Sequence, residues 1–237
     1  MTPLLVLLFG VPARVAIGTD LLFAAVTKLF GVAVHGYAGV VDRQVLIRLL
    51  VGSVPAAIAT GLILSVVGRA SVPDELDQFL LNALAWLLLL SALGVFMRPL
   101  LHRVGRGLRL AKPERFKRLQ APLTVLMGAL IGVAVSLTSV GAGALGAVAM
   151  LYLYPLRLQG ARLVGTDLAH AIPLALVAGS AHWIAGGVDW HLLGTLLVGS
   201  VPGIIVGAYA LRWVSAQWVN YGVAILLFIS GAKLLFG

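Results

Sequence analysis

Residues 18–55 read GTDLLFAAVTKLFGVAVHGYAGVVDRQVLIRLLVGSVP, and residues 165–202 read GTDLAHAIPLALVAGSAHWIAGGVDWHLLGTLLVGSVP. Aligned without a gap, the two stretches share 19 identities in 38 positions. GTDL opens both, His35 meets His182, the AGVVD ending at Asp42 meets the AGGVD ending at Asp189, and LLVGSVP closes both. Identity at that density in one frame marks a tandem duplication. The copies flank a basic stretch, so the chain divides into a first membrane repeat (1–97), a basic linker (98–120) and a second membrane repeat (121–237).

Composition says what kind of solvent these repeats meet. The 237 residues are 61% hydrophobic and 11% charged, with a formal net charge of +9 and no cysteine. A soluble domain runs nearer 45–50% apolar and about 25% charged, and no soluble core hides this much apolar surface. Disulfides, thiol catalysis and thiolate metal sites are excluded with the cysteines. A membrane-crossing helix needs about 20 apolar residues. Residues 49–67, 79–97, 191–211 and 218–237 meet that need, and 16–34 and 163–185 do so while holding ionisable groups. Residues 121–156 form an uncharged, mostly apolar run too long for one simple crossing. No run alternates with the period of two that a membrane β-barrel requires.

The charges set the sidedness. If 121–156 is a re-entrant hairpin that enters and leaves on one side, the loops at 35–48, 98–120, 155–163 and 212–217 share that side. Only Arg14, Arg69 and Lys233 of the 17 Lys and Arg then lie outside, with Lys28 inside a span. That arrangement suits the positive-inside rule better than a single crossing does. It places Asp74, Glu75 and Asp77 outside and makes the two copies inverted. The expected fold is an all-α polytopic membrane protein of two inverted helical repeats. Each repeat has a re-entrant or broken helix plus three transmembrane helices, an architecture many secondary transporters share.

Several residues carry chemistry that a membrane interior does not tolerate without cause. The two GTD motifs lie near span starts, where Thr and Asp suit helix capping. The same position suits an anion site, in which Thr19 and Thr166 join exposed N–H groups at the positive end of a helix. Asp20 and Asp167 would repel an anion when ionised, so they fit proton coupling or the orientation of a neighbour. His170 follows Asp167 by three and shares its face. The pair can carry a proton or simply hold each other. Lys28 lies about two turns inside its span, where it either snorkels to the interface or attracts an anionic substrate. Ser139, Gly141 and Gly143 interrupt the 121–156 run. They read as a seam of small residues or as a substrate-facing tip, with Ser136, Thr138 and Ser139 as hydroxyl donors. His35, His182, Asp42 and Asp189 sit at or beyond span ends and read as loop caps or interfacial residues rather than as chemistry.

Other functions find little support. The linker's Arg98, Arg103, Arg106, Arg109, Lys112, Arg115, Lys117 and Arg118 face a single acid, Glu114, and read as a cytoplasmic loop against anionic lipid rather than a nucleic-acid site. The His residues are too scattered for a metal site. There is no GxxxxGK[ST] loop for ATP. No nucleophile–base set stands out, so no enzyme activity and no cofactor are expected.

The repeated GTDL…H…VD…LLVGSVP pattern, with SVGAGA ahead of the second copy, resembles the TauE/SafE-type sulfite-exporter-like permeases over nearly the whole chain. The family's GT pair matches Gly18–Thr19 and Gly165–Thr166, and its Gly-rich hairpin matches Ser139 to Gly143. The resemblance implies a multi-pass protein of the bacterial plasma membrane. It also implies transport of small anions such as sulfite, sulfonates or related organosulfur acids, coupled to protons, with the site between the repeats. Residues 122–147 have no counterpart before Met1, so MTPLLVLLFGV reads as the second arm of a hairpin whose first arm is absent from the sequence. Either translation starts further upstream or the first half-site is short. The short reading favours a non-transporting membrane scaffold or regulatory subunit, or a partner that supplies the arm.

Overall fold

The computed structural model describes residues 1–35, 40–70, 73–111, 113–141, 143–210 and 216–236. Among these residues there are ten helices and no strand: α1 (Thr2–Phe9), α2 (Ala13–His35), α3 (Arg43–Ala70), α4 (Pro73–Phe96), α5 (Arg98–Ala111), α6 (Pro113–Thr138), α7 (Ala144–Leu153), α8 (Gly160–Ile184), α9 (Trp190–Ala210) and α10 (Ala216–Phe236). A helix suits a bilayer because it satisfies its own backbone within the segment. Six helices are long and apolar enough to cross a membrane: Ala13–Val32, Arg43–Gly68, Asp74–Phe96, Lys117–Thr138, Gly160–Ile184 and Trp218–Phe236. The apolar stretches of α7 and α9 are shorter. Pro55, Pro122, Pro173 and Pro202 lie inside helices, which neighbouring helices and hydroxyls make tolerable in lipid.

The long apolar run breaks where the small residues predict. α6 ends at Thr138, and Ser139 (φ 59°) and Gly141 (φ 113°) turn the chain through the left-handed region, which glycine enters without a Cβ penalty. α7 then runs back. The amide of Gln120 donates to the Leu153 carbonyl at 2.6 Å, and Thr124 and Tyr154 pair through their hydroxyls at 2.8 Å. The feet of the two arms therefore stand side by side, as a hairpin requires. α6 alone is nonetheless long enough to span, which the reading of 121–156 as one re-entrant unit does not anticipate.

The basic linker is not an open loop. α5 follows α4 directly and docks on α7. A Cβ at Gly105 would collide with the Tyr152 carbonyl, and His102 Nε2 donates to the Pro155 carbonyl at 3.1 Å. A carbonyl only accepts, so the imidazole proton is on Nε2.

α2 and α8 pack together, α3 packs on α8 and on α6, α9 packs on α2, and α4 packs on α10. Thr19 near the start of α2 meets Asp189 just beyond the end of α8. Thr166 near the start of α8 meets Asp42 just before α3, beyond the end of α2. α2 and α8 are therefore antiparallel. One core cluster joins Ile17, Leu21, Leu80, Ile131 and Leu174, and a second joins Leu49, Met150, Tyr154 and Leu158. Leu62, Trp86, Val198 and Ile225 are exposed, as lipid-facing residues are.

Candidate functional site

The two GTD motifs cap helices, but not their own. Thr19 and Thr166 stand in the second turn of α2 and α8, and both are fully buried. Each hydroxyl accepts the backbone N–H of an aspartate from the other repeat, Asp189 to Thr19 and Asp42 to Thr166, both at 3.0 Å. Those aspartates begin α9 and α3. Asp189 Oδ1 accepts from Leu192 N at 2.9 Å, and Asp42 Oδ1 accepts from Val45 N at 3.2 Å, so each satisfies an otherwise free donor of a first turn. Thr166 also donates to the Arg162 carbonyl at 2.7 Å. Arg157 forks onto the Asp42 carboxylate, with Nη2 donating to Oδ1 at 2.7 Å. The two threonines thus fasten opposite ends of the α2–α8 pair.

The adjoining aspartates face short helices. Asp20 is buried, and its Oδ2 accepts from the Thr2 amide at 2.8 Å and from the Thr2 hydroxyl at 2.6 Å, at the start of α1. Asp167 lies against the first turn of α7. Its Oδ1 is 2.9 Å from where a Cβ on Gly146 would stand, and its Oδ2 is 3.8 Å from the same point on Gly143. A carboxylate in that place meets the positive end of the helix. The two acids differ in one respect. Asp167 Oδ1 is buried and makes no hydrogen bond among the described residues, whereas Asp20 is held by Thr2.

Around Asp167 the other expected residues collect. Lys28 is partly buried and lies within electrostatic reach of Asp167, Asp20 and His170. Arg98, at the start of α5, also reaches Asp167. His170 is fully buried, its Nε2 2.9 Å from Ser53 Oγ and its Nδ1 without a hydrogen-bond partner among the described residues. The hairpin turn of Ser139, Gly141 and Gly143 reaches Asp167 through Gly143, and the Ser136 and Ser139 hydroxyls are buried with no hydrogen-bond partner among the described residues. The broken end of α6 is pinned from α8. Val140 N, having lost its helical partner, is caught by Thr138 Oγ1 at 3.2 Å, and the freed Ser136 carbonyl accepts His182 Nε2 at 2.8 Å.

Lys28, Asp167, His170 and the hairpin turn therefore form one group, while Asp20 stands with Thr2 toward the other end of the α2–α8 pair, within electrostatic reach of Lys28. Thr19 and Thr166 contribute their hydroxyls elsewhere. Sequence reasoning missed Ser53, Thr2, Arg98 and Arg157. Ser53 carried a signal, its place in the repeated LLVGSVP, but its partner His170 has no counterpart in the first copy, where Phe23 stands. Among the described residues, no group of three or more His, Cys, Asp or Glu could hold a metal ion.

Two of the cavities lined by described residues touch α7. One of about 650 Å³ lies between α4, α6 and α7 and is lined by apolar side chains such as Leu90, Met127, Leu130 and Leu145. Its walls suit lipid chains, not an anion. The other, about 240 Å³, is lined in part by Arg98, His102, Asn220 and Tyr221. Arg98 Nη1 donates to Asn220 Oδ1 at 3.5 Å there.

Comparison with known proteins bears on this arrangement. The family model described as "Sulfite exporter TauE/SafE" matches residues 1–234. The probable membrane transporter protein YjnA of Bacillus subtilis (strain 168) is 34% identical over 240 residues, covering 99% of this chain and 90% of the relative. The probable membrane transporter protein YdhB of the same organism is 28% identical over 233 residues, covering 98% of this chain and 89% of the relative. No solved structure matches.

Proposed function

Since the chain belongs to the sulfite exporter TauE/SafE family, we propose that this multi-pass membrane protein is a secondary transporter for small anions, proton-coupled, in the bacterial inner membrane. Sulfite, sulfonates or related organosulfur acids are the substrates the family points to. The names of YjnA and YdhB agree with a transporter rather than an enzyme.

The observation that carries this reading is the buried oxygen of Asp167, without a hydrogen-bond partner among the described residues, at the first turn of α7, with Lys28 in electrostatic reach. A carboxylate and an anion compete for the same helix end and the same lysine. When Asp167 takes a proton its competition ends, and the N–H groups of α7 and the Lys28 ammonium are released to an anion. Binding of proton and anion are then mutually favourable, which is what symport requires. The Ser136 and Ser139 hydroxyls supply further donors, and His170 is the next proton station. Arg98 and its polar cavity offer an approach from the basic, cytoplasmic end. No cofactor enters this scheme.

The antiparallel α2–α8 pair and the hairpin with adjacent feet support inverted repeats. In that arrangement Thr19–Asp189 and Thr166–Asp42 are matched latches at the two membrane faces, and opening one while holding the other gives alternating access. Sulfite accumulation by proteoliposomes under an imposed pH gradient tests the function. Uptake above that of empty vesicles supports it, and its absence with folded protein sinks it.

A further inference from the structure

We propose that the cavity at Arg98 is a second anion site, separate from the Asp167 group, and that it takes a short organic anion such as an alkanesulfonate. That the anion then moves on to Asp167 rests on the transport reading above; the site itself does not.

The cavity holds about 240 Å³ where the end of α4, the start of α5, α7 and α10 meet. Pockets for drug-sized ligands run from about 300 to 1,000 Å³, so an occupant here is small. The charge of the lining is one-sided. Arg98 is the only Arg, Lys, Asp or Glu among the described lining residues. A guanidinium offers five N–H donors. Among the described residues Arg98 uses one of them, Nη1 to Asn220 Oδ1, and at 3.5 Å that bond is long. It makes no ion pair among the described residues. A half-buried cation in a cavity without an acid is matched by an anion from outside, because a charge is costly to withdraw from water unpaired.

The rest of the lining selects among anions. The Asn220 amide and the Tyr221 hydroxyl add neutral donors. His102 holds α5 beside the end of α7 through the Pro155 carbonyl at 3.1 Å, and Gly105 lets α5 settle on the Tyr152 carbonyl, so the wall that carries Arg98 is fixed. Val95 and Leu151 make part of the lining apolar. One guanidinium balances one negative charge, and its planar fork meets two oxygens of an oxyanion at once. A short alkyl group on that oxyanion covers the apolar part, which an inorganic anion leaves bare. Arg103 and Arg106, exposed further along α5, raise the concentration of anions near the mouth. On the inner side, the acid that acts on Arg98 electrostatically is Asp167, so the cavity adjoins the site where the anion is handed on.

The test uses the full chain in detergent with Phe96→Cys as its single thiol, since the sequence has no cysteine. Phe96 lines the cavity and is 66% exposed, so the change leaves the fold in place. Two methanethiosulfonate reagents of similar size label the thiol, one carrying a sulfonate and the other a trimethylammonium group. Ethanesulfonate is the competing ligand. We expect the anionic reagent to react at least about tenfold faster than the cationic one, and ethanesulfonate to slow it saturably. Arg98→Gln in the same background should bring the two rates within about twofold and abolish protection, with the unfolding temperature near that of the parent. Arg98→Lys should keep the rate ratio and lose most of the protection, because an ammonium has no fork. Arg103→Gln should leave protection intact.

Equal rates for the two reagents in the parent overturn the proposal. So does a loss of protection in Arg103→Gln as large as that in Arg98→Gln, because a diffuse basic field then replaces a site. Inorganic sulfate protecting as tightly as ethanesulfonate overturns the assignment to an organic anion. Protection by phosphatidylglycerol and none by ethanesulfonate overturns it too, because a lipid headgroup is then the occupant. Labelling needs no transport. A chain that shows no protection here and still accumulates sulfite loses this site alone, and a chain that is protected here and accumulates none loses the transport reading alone.

Discussion

Asp167 Oδ1 lies 2.9 Å from the point where Gly146 would carry a Cβ, so a side chain at 146 and the carboxylate in its present place are incompatible. We expect Gly146→Ala to push the carboxyl off the first turn of α7 and to cut anion transport at least tenfold, with the fold intact. Gly222→Ala, whose Cβ meets nothing within 4 Å, is the control and stays near wild type. Initial uptake rates in proteoliposomes decide it, and equal rates in the two variants would remove the Asp167–α7 contact from the mechanism.

Asp167→Asn keeps the shape and removes the proton. Anion exchange between equal pools should survive, and accumulation driven by a pH gradient should vanish. The sign follows from the proposed competition: protonation of Asp167 frees the helix end, so wild-type uptake rises as the pH on the entry side falls. The asparagine variant should show a flat pH profile. A preserved pH response would place the coupling proton elsewhere, with His170 the next group to replace.

Lys28 has no shared counterpart, since Ala175 stands at its place in the second repeat. Lys28→Ala should weaken anion binding about tenfold or more, and Lys28→Arg should restore part of it. Isothermal titration in detergent reads this directly. Affinity unchanged in Lys28→Ala removes the residue from the site.

The two threonine latches make a stability prediction. Thr166→Val leaves the N–H of the buried Asp42 without its acceptor, at a cost of about 1–3 kcal/mol, and Thr19→Val does the same to the N–H of the exposed Asp189 at a smaller cost. The pairs lie at opposite ends of α2 and α8, so the double variant should cost about the sum. Thermal unfolding of purified variants checks this. If neither substitution lowers the midpoint, the hydrogen bonds are not holding the helix pair.

Much of the fold was legible because the bilayer restricts it. Apolar runs without a period of two read as helices, and the Ser139–Gly143 stretch stood out as either a packing seam or a turn, of which the structure shows the turn. The Asp42 and Asp189 caps were readable from their places ahead of apolar runs. What the sequence hid was which repeat each motif serves. Thr19 lies in a GTD that suggests its own helix start, yet it accepts from Asp189, 170 residues away, and no local pattern encodes such an exchange. The linker misled for a related reason. Its arginines read as a solvated loop, but with a row of leucines between them they make an amphipathic helix, and Gly105 lets that helix settle against Tyr152. At the site, Asp167, His170, Lys28 and the hairpin glycines were each identifiable as costly or unusual in lipid. Ser53 was not, because a serine in a repeated small-residue motif looks like packing until its histidine is found.

On the proposed function, this chain moves a small anion together with a proton. The most direct measurement is sulfite accumulation in proteoliposomes holding wild type or Asp167→Asn, with the pH gradient imposed and then collapsed by an ionophore. Coupled transport gives uphill accumulation by wild type that disappears with the gradient, and none by the variant. Folded wild-type protein that accumulates no more sulfite than protein-free vesicles, or that accumulates it equally without the gradient, would contradict it.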